Sequence, residues 1–337
     1  MEELKNMASN GNSHNKQNRI LRAKWMDYQS PSIMMVTIVT TKRLPLLGKL
    51  QGENIILTEL GQKVAEEIKR IPTYNGAESI EIYSYVIMPD HVHILLHIHE
   101  HLPRHVGYYI RWFKKQCTYI GLALAVPSAR NHSPLFAPDY HDSLLKGKNQ
   151  LPHLVRYIQD NPRRLALKRA NKDLFRIRQN QQIGTIQCTV LGNIFLIEHP
   201  LRQVLQCSSR LTQEQIDNLK ADCLREAADG TIFITAAISE GEKQIARALR
   251  EAGFPLIILL EKGFPAPDDP HYNYFKPQGV YFEACAAGKL LLIEPHRDLL
   301  DRDDIATKTE AKVGHIPHDS QRYRFVAMNI LAEDICK

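Results

Sequence analysis

The 337-residue sequence lacks any long apolar run. Its cleanest stretches are short, such as Pro255–Leu260, far below the ~20 residues of a membrane-spanning helix. Met1 to Ile33 is polar and has no apolar core of the kind a secretory signal needs. Cysteine is scarce and scattered, at positions 117, 188, 207, 223, 285 and 336, with no C-x-x-C pair. That spacing excludes a zinc ribbon and a disulfide scaffold. No internal repeat or low-complexity tract is present. These absences exclude secreted and membrane-spanning classes and point to a cytoplasmic protein with reduced thiols. An apolar fraction of 44% suffices for packed cores, and the length predicts about two domains.

Positive charge is unevenly placed. The net charge is +6, yet residues 1–100 carry 11 basic and 11 acidic side chains. Residues 101–180 carry 15 Lys/Arg against 4 acids, whereas residues 181–337 carry 17 against 22. The surplus therefore lies in one stretch of eighty residues. Such a patch suits a polyanion, nucleic acid first, although a solvated basic helix face explains the charge equally well.

Residues 1–30 are rich in Asn, Ser and Lys and read as a loose arm. Ile33–Thr41 is β-rich. Leu60, Val64 and Ile68, four apart, mark an amphipathic helix over Leu57–Ile71. Ile80–Met88 and His91–Ile98 read as strands broken at Pro89-Asp90. Val106, Ile110, Phe113, Cys117 and Ile120 define a second helix, with Arg111, Lys114 and Lys115 on its outer face. A loop follows from Val126 to Tyr140. Leu151–Asp160 reads as a third helix that should end near Asn161, because Pro162 disfavours helical geometry in the residue before it. This order suits helices on an antiparallel sheet. Past Leu191, short apolar strands at Ile194–Ile197, Thr231–Thr235, Leu256–Leu260 and Leu290–Ile293 alternate with helical stretches, the pattern of a parallel α/β domain. Two domains over 31–175 and 190–337 are expected, with Lys172–Thr189 as their connection.

The sharpest chemical feature is His91-Val92-His93 after Met88-Pro89-Asp90. On a strand the two histidines share a face roughly 7 Å apart while Val92 enters the core. Such a pair can bind one divalent metal, or it can be solvated. His97 and His99 continue that face, but His91 and His99 lie roughly 25 Å apart, too far for one ion; they read as structural. The second feature is Tyr157-Ile-Gln-Asp-Asn161-Pro162, in which Tyr157 and Asn161 are neighbours on one helix flank. Alone, Tyr157 reads as a core-edge tyrosine and Asn161 as a helix C-cap.

In combination these features resemble the IS200-like single-tyrosine HUH transposases, including the relatives associated with repetitive extragenic palindromes. The stretches that carry the resemblance are VTIVTTKRLPLL (36–47), YVIMPDHVHILL (85–96), YIRWFKKQ (109–116) and LVRYIQDNPRRL (154–165), within roughly 40% of the chain. Asp90 stands where many members have Asn. The resemblance implies an α+β fold with a ferredoxin-like antiparallel sheet and both histidines on a central strand. It implies that His91, His93 and Asn161 bind Mg²⁺ or Mn²⁺ and that Tyr157 attacks single-stranded DNA to give a 5′-phosphotyrosine. Single-stranded or hairpin DNA is the implied partner, held by Arg111, Lys114, Lys115, Arg163, Arg164, Lys168 and Arg169. Tyr108, Tyr109 and Trp112 suit either base stacking or core packing. A homodimer fits members from mobile elements and a monomer fits palindrome-associated ones.

Residues 230–294 resemble the Rossmann-like α/β domain of the DNA-processing protein DprA, without its glycine-rich anion loop. Ser239 and Glu242 form a capping box, and Glu240 and Glu242 put negative charge where a phosphate would bind. That favours a structural or partner-binding role. Two other readings of the whole chain stay open: a domesticated nucleic-acid-binding protein of the same fold, and a metal-dependent hydrolase using water as nucleophile.

Overall fold

The computed structural model describes residues 27–126, 134–145, 150–261, 263–264, 280–295, 302–318 and 320–337. Residues 1–26 of the expected N-terminal arm lie outside these. The chain divides into two compact units, Met1–Ala166 and Leu167–Lys337.

In the first unit β1 (Ser32–Val39), a hairpin of β2 (Gly48–Gln51) and β3 (Asn54–Leu57), α1 (Glu59–Arg70), β4 (Ile80–Ile87), β5 (His91–Ile98), α2 (Val106–Ala123) and β6 (His141–Leu144) follow in order, and then α3 (Leu151–Ala170), whose last four residues are counted with the second unit. Four strands form an antiparallel sheet in the order β4-β5-β1-β6. Hairpin aside, the chain runs strand, helix, strand, strand, helix, strand, and the first and third of those strands lie side by side in the middle. Alternation places the even residues Met34, Val36, Ile38, Val92, Ile94, Leu96 and Ile98 in one core. Leu60, Val64 and Ile68 of α1 and Val106, Ile110, Phe113 and Cys117 of α2 complete it. The odd residues of β5, His91 and His93 among them, therefore share the opposite face.

One close approach fixes this frame. Leu47 donates its N–H to the Pro89 carbonyl (3.0 Å), just before the histidine strand, and its own carbonyl accepts from Thr58. A Cβ at Gly61 would stand 1.9 Å from that Leu47 oxygen. Gly61→Ala gains up to about 1 kcal/mol of helix propensity, yet the clash is with backbone that cannot swing away. A net loss of about 1–3 kcal/mol is expected, read as a lower denaturation midpoint with an unchanged m-value.

The predicted end of the third helix is corrected: α3 runs through Pro162 to Ala170. Pro162 has no N–H for the Ile158 carbonyl, but the Asn161 side-chain amide donates to Tyr157 O (2.7 Å) and, more weakly, to Ile158 O (3.4 Å). A side-chain donor thus replaces the missing backbone one, and Asn161 lies within the helix, not at its C-cap.

The second unit contains β7 (Arg178–Ile183), β8 (Ile186–Gly192), β9 (Arg202–Val204), α4 (Gln213–Ala228), β10 (Ile232–Thr235), α5 (Glu240–Glu251), β11 (Leu256–Leu259), α6 (Val280–Ala286), β12 (Leu290–Pro295), α7 (Asp303–Val313) and α8 (Gln321–Cys336). Its six-stranded sheet has the order β7-β8-β12-β11-β10-β9. β9 to β12 are parallel, and β8 and β7 extend them antiparallel. The stretch 172–189, read from sequence as a connection, largely forms β7 and part of β8. Both faces of the parallel strands are covered. Ile232, Ile234, Ile257, Leu259, Leu291 and Ile293 meet apolar residues of α7 and α8, while Phe233, Leu256, Ile258, Leu290 and Leu292 meet those of α4 and α5. Double coverage is why these strands are continuously apolar.

Ile194–Ile197, expected as a strand, lies in a short 3₁₀ turn over Ile194–Glu198, because the Asn193 side chain accepts from Phe195 N and caps it. The Ser239–Glu242 capping box is present. Glu242 is buried, and its carboxylate accepts from Cys207 N (3.1 Å), Ile238 N (2.7 Å) and Ser239 N (3.4 Å). The chain's own carboxylate therefore satisfies the backbone N–H groups around the start of α5. All six cysteines are unpaired. Among the described residues no helix is long and apolar enough to cross a membrane.

Candidate functional site

The sheet and α3 bring together residues that are sixty positions apart. His91 and His93 lean towards each other from β5, their ring centroids 4.8 Å apart and their planes nearly perpendicular. The Tyr157 ring on α3 lies 6.1 Å from that of His93. Asn161 is one turn further along the same helix. The Arg164 guanidinium, largely buried, lies 5.6 Å from the Tyr157 ring centroid.

Each imidazole is held at Nδ1. His91 Nδ1 is 2.6 Å from Asp90 Oδ1, and Asp90 also pairs with Arg43 at 3.3 Å. His93 Nδ1 shares a 2.8 Å hydrogen bond with Thr37 Oγ1, its cross-strand neighbour on β1. Both Nε2 atoms are left as the donors for an ion. A carboxylate or hydroxyl behind each ring is the support that fixes a histidine ligand's tautomer and orientation. Burial raises the Asp90 carboxyl, but the hydrogen bond and charge of His91, aided by Arg43, outweigh it and hold the group below its usual range.

His93 is buried with only 7% exposure. Burial first, then the His91 and His141 imidazoles, depress its pKa from 6.5 to about 3, against the pull of Asp90. It is thus a neutral imidazole with an available lone pair. A neutral imidazole nitrogen of this kind can serve as a ligand to a divalent ion.

The same shift has a cost in acid. The unfolded chain protonates His93 near pH 6.5 and the folded chain only near 3, so stability is full above about 6.5 and falls as pH drops below it. In metal-free buffer the protein is expected to lose about 2 kcal/mol between pH 7 and pH 5 from this group. Denaturant titrations at the two pH values test this, and His93→Gln should remove that part of the loss.

The seven basic residues expected at DNA separate into groups. Arg111, Lys115 and Arg169 are exposed. Lys114 is turned inward: its ammonium donates to the carbonyls of Ala137 and Pro138. Arg163 is paired with Asp160 at 2.5 Å, and Arg164 is buried against Tyr157. Lys168 lies 5.8 Å from the Phe282 ring, within the second unit. Of the three aromatics left between stacking and packing, Tyr109 belongs to the core, fully buried with its hydroxyl donating to Gly76 O. Tyr108 and Trp112 are exposed, joined by Tyr119, which sequence reasoning missed. Lys115 Nζ lies 5.5 Å from the Trp112 ring and 5.7 Å from that of Tyr119, and Arg104 stacks on Tyr108. The outer face of α2 is thus an interleaved basic and aromatic stripe.

Sequence reasoning also passed over Thr37, His141 and Arg164's place at the tyrosine. Thr37 is opposite both His93 and His141 in the sheet. Only the alternation of β1 could have flagged it. His97 and His99, read as structural, meet Glu81 of β4. Among the described residues this is the one group of three His, Cys, Asp or Glu side chains whose ligand atoms lie close enough for a single ion.

Part of the chain is similar to known proteins. Residues 54–161 match the family model described as "Transposase IS200 like". A Haemophilus influenzae protein described only as uncharacterized is 23% identical over 159 residues, covering 43% of this chain and 87% of its own. Among solved structures, a REP-associated tyrosine transposase bound to a REP hairpin is 19% identical over 43% of this chain and 74% of its own, with a TM-score of 0.32. A crystal structure of a Deinococcus radiodurans R1 protein is 20% identical over 41% of this chain and 96% of its own, with a TM-score of 0.27.

Proposed function

We propose, from the premise that residues 54–161 are an IS200-like transposase region, that this chain cleaves and rejoins single-stranded DNA through a covalent bond to Tyr157. What carries the reading is the convergence of Tyr157 of α3 with the His91–His93 pair of β5: the Tyr157 ring lies 6.1 Å from that of His93, whose own ring is 4.8 Å from that of His91. A binding module has no need of that set.

Tyr157 Oη attacks the scissile phosphorus, the phenol proton is lost, and the bond from phosphorus to the 3′ oxygen breaks. The products are a 5′-phosphotyrosine and a free 3′-hydroxyl, which takes up a proton. The phosphodiester's energy is kept in the new bond, so a 3′-hydroxyl can reverse the attack without ATP. A phenol with pKa near 10 is a poor nucleophile at neutral pH and must be activated by its site. His91 and His93, through their Nε2 atoms, and Asn161, through its amide oxygen, would hold Mg²⁺ or Mn²⁺. That ion supplies polarisation of the phosphate and relief of the charge building on its oxygens. Thr37 and Asp90 keep the two imidazoles in register. Arg164, against the Tyr157 ring, places positive charge beside the nucleophile.

The fold that supports this is read as ferredoxin-like, with the histidine strand central. Exposed Arg111, Lys115 and Arg169 suit the DNA backbone, while Tyr108, Trp112 and Tyr119 suit unpaired bases of a single strand or a hairpin loop. The second unit is read as Rossmann-like. Because Glu242 satisfies the backbone N–H groups around the start of α5, the unit's role is assigned to partner contacts or support rather than nucleotide binding. A cytoplasmic setting suits both units.

Covalent trapping tests the proposal. The full chain is incubated with end-labelled single-stranded and hairpin oligonucleotides, with and without Mn²⁺, and run on denaturing gels. A metal-dependent, protein-linked band is expected. Tight binding with no adduct across a broad oligonucleotide pool would overturn the strand-transfer reading in favour of a DNA-binding protein.

A further inference from the structure

The far end of the histidine strand holds a second constellation that the reaction does not use. Glu81 of β4 lies directly opposite His97 of β5, and His99 follows two residues on, just past the strand's end, with its ring against that of His97. One oxygen, Glu81 Oε2, is 2.8 Å from His99 Nε2 and 3.6 Å from His97 Nδ1. The two imidazole centroids are only 3.9 Å apart, and one ligand atom from each of the three residues lies within 4.8 Å of the other two. We propose that Glu81, His97 and His99 form a second divalent-metal site, of the zinc class, independent of His91 and His93.

The argument rests on convergence. Two imidazoles at the surface, one half-exposed and one less so, would ordinarily point into water, separately. Here different ring nitrogens, Nδ1 of one and Nε2 of the other, turn to one carboxylate oxygen. In the metal-free protein that oxygen can accept an imidazole N–H; an ion replaces the proton with little movement of the ligands. Ligand atoms around a tetrahedral zinc are separated by about 3.4 Å, given bond lengths near 2.1 Å. The two separations to Glu81 already bracket that value. Two nitrogens and one carboxylate oxygen match Zn²⁺, Co²⁺ or Ni²⁺ better than Mg²⁺, which prefers oxygen ligands. His93 and His97 are four residues apart, about 13 Å of strand, so one ion cannot serve both pairs.

The side chains of Glu81 and His99 are about half exposed, at 52% and 49%, and that of His97 less so, at 30%. Water would therefore complete the coordination. β4 is one of the two edge strands of its sheet and has a register shift between Ile82 and Ser84. An ion held here ties the start of that edge to the end of β5.

The test titrates the full chain with ZnCl₂ by calorimetry, and with Co²⁺ to read its visible absorption bands. His97→Ala/His99→Ala is expected to bind one equivalent fewer than wild type, and Glu81→Gln to bind that equivalent at least tenfold more weakly. His91→Ala/His93→Ala should retain it, which separates this site from the proposed catalytic one. Zinc should also raise the melting temperature of the His91→Ala/His93→Ala protein but not after His97 and His99 are also replaced. Because the three residues line the surface, unchanged circular dichroism is expected for the variants. Stoichiometry and Co²⁺ spectrum unchanged by His97→Ala/His99→Ala would overturn the proposal, as would a wild-type chain that takes up no zinc at this site.

Discussion

Replacing Tyr157 with phenylalanine is expected to abolish the covalent DNA adduct and to slow strand cleavage by at least about 10³-fold, the scale on which losing a nucleophile acts. The substitution removes one oxygen and leaves the ring. The ring's edge contact with His93 and its position under the Arg164 guanidinium, 6.1 and 5.6 Å between centres, depend on the aromatic face rather than the hydroxyl. Stability should therefore stay within about 1 kcal/mol of wild type, and DNA affinity should be nearly unchanged. Adduct yield on denaturing gels, paired with a filter-binding measurement on the same oligonucleotide, separates the two effects. Cleavage that survives Tyr157→Phe would mean that water is the nucleophile, and the site would be a hydrolase.

The second large effect concerns the histidine pair. His91→Ala, His93→Ala, or removal of the metal with a chelator should each slow cleavage by about 10²–10³-fold, equivalent to losing about 3–4 kcal/mol of transition-state stabilisation. The two positions should differ in stability. His91 is partly exposed, and its main polar partner, Asp90, retains Arg43 after truncation, so His91→Ala should fold normally. His93 is buried and bonded to Thr37. Truncating it opens a cavity and strands the threonine hydroxyl, at a cost of about 1–3 kcal/mol. Mn²⁺ titrations of the cleavage rate, with denaturation curves for both variants, distinguish a lost ligand from a lost fold. If His91→Ala, fully folded, cleaves at the wild-type rate with unchanged metal dependence, the pair is not the metal centre.

Much of the candidate site's layout was legible in the sequence because it is written in local spacing. H-x-H on a strand puts two imidazoles on one face whatever the rest of the chain does. Tyr157 and Asn161 share a helix flank for the same reason, and the identity of β5 follows from its alternation. The amphipathic spacings of α1 and α2 likewise announced which faces are buried. Where a local rule failed, a side chain had overridden it: Asn161 supplies the hydrogen bond that Pro162 cannot, so α3 continues, and Asn193 turns an apolar tetrad into a 3₁₀ turn.

What the sequence by itself determined was the inventory of reactive groups and the periodicity of the elements that carry them. Only the tertiary structure decided which groups meet. Strand pairing across β1, β4, β5 and β6 put Thr37 behind His93, set His141 opposite Thr37 and joined Glu81 to His97 and His99. The folded chain also turned Lys114 and Arg164 inward while leaving Lys115 out, although all three read alike as cations on helix faces. The physical reason is range. Backbone geometry fixes neighbours two to four residues apart, whereas a cross-strand hydrogen bond or a buried guanidinium depends on segments brought together only when the apolar faces close on a common core.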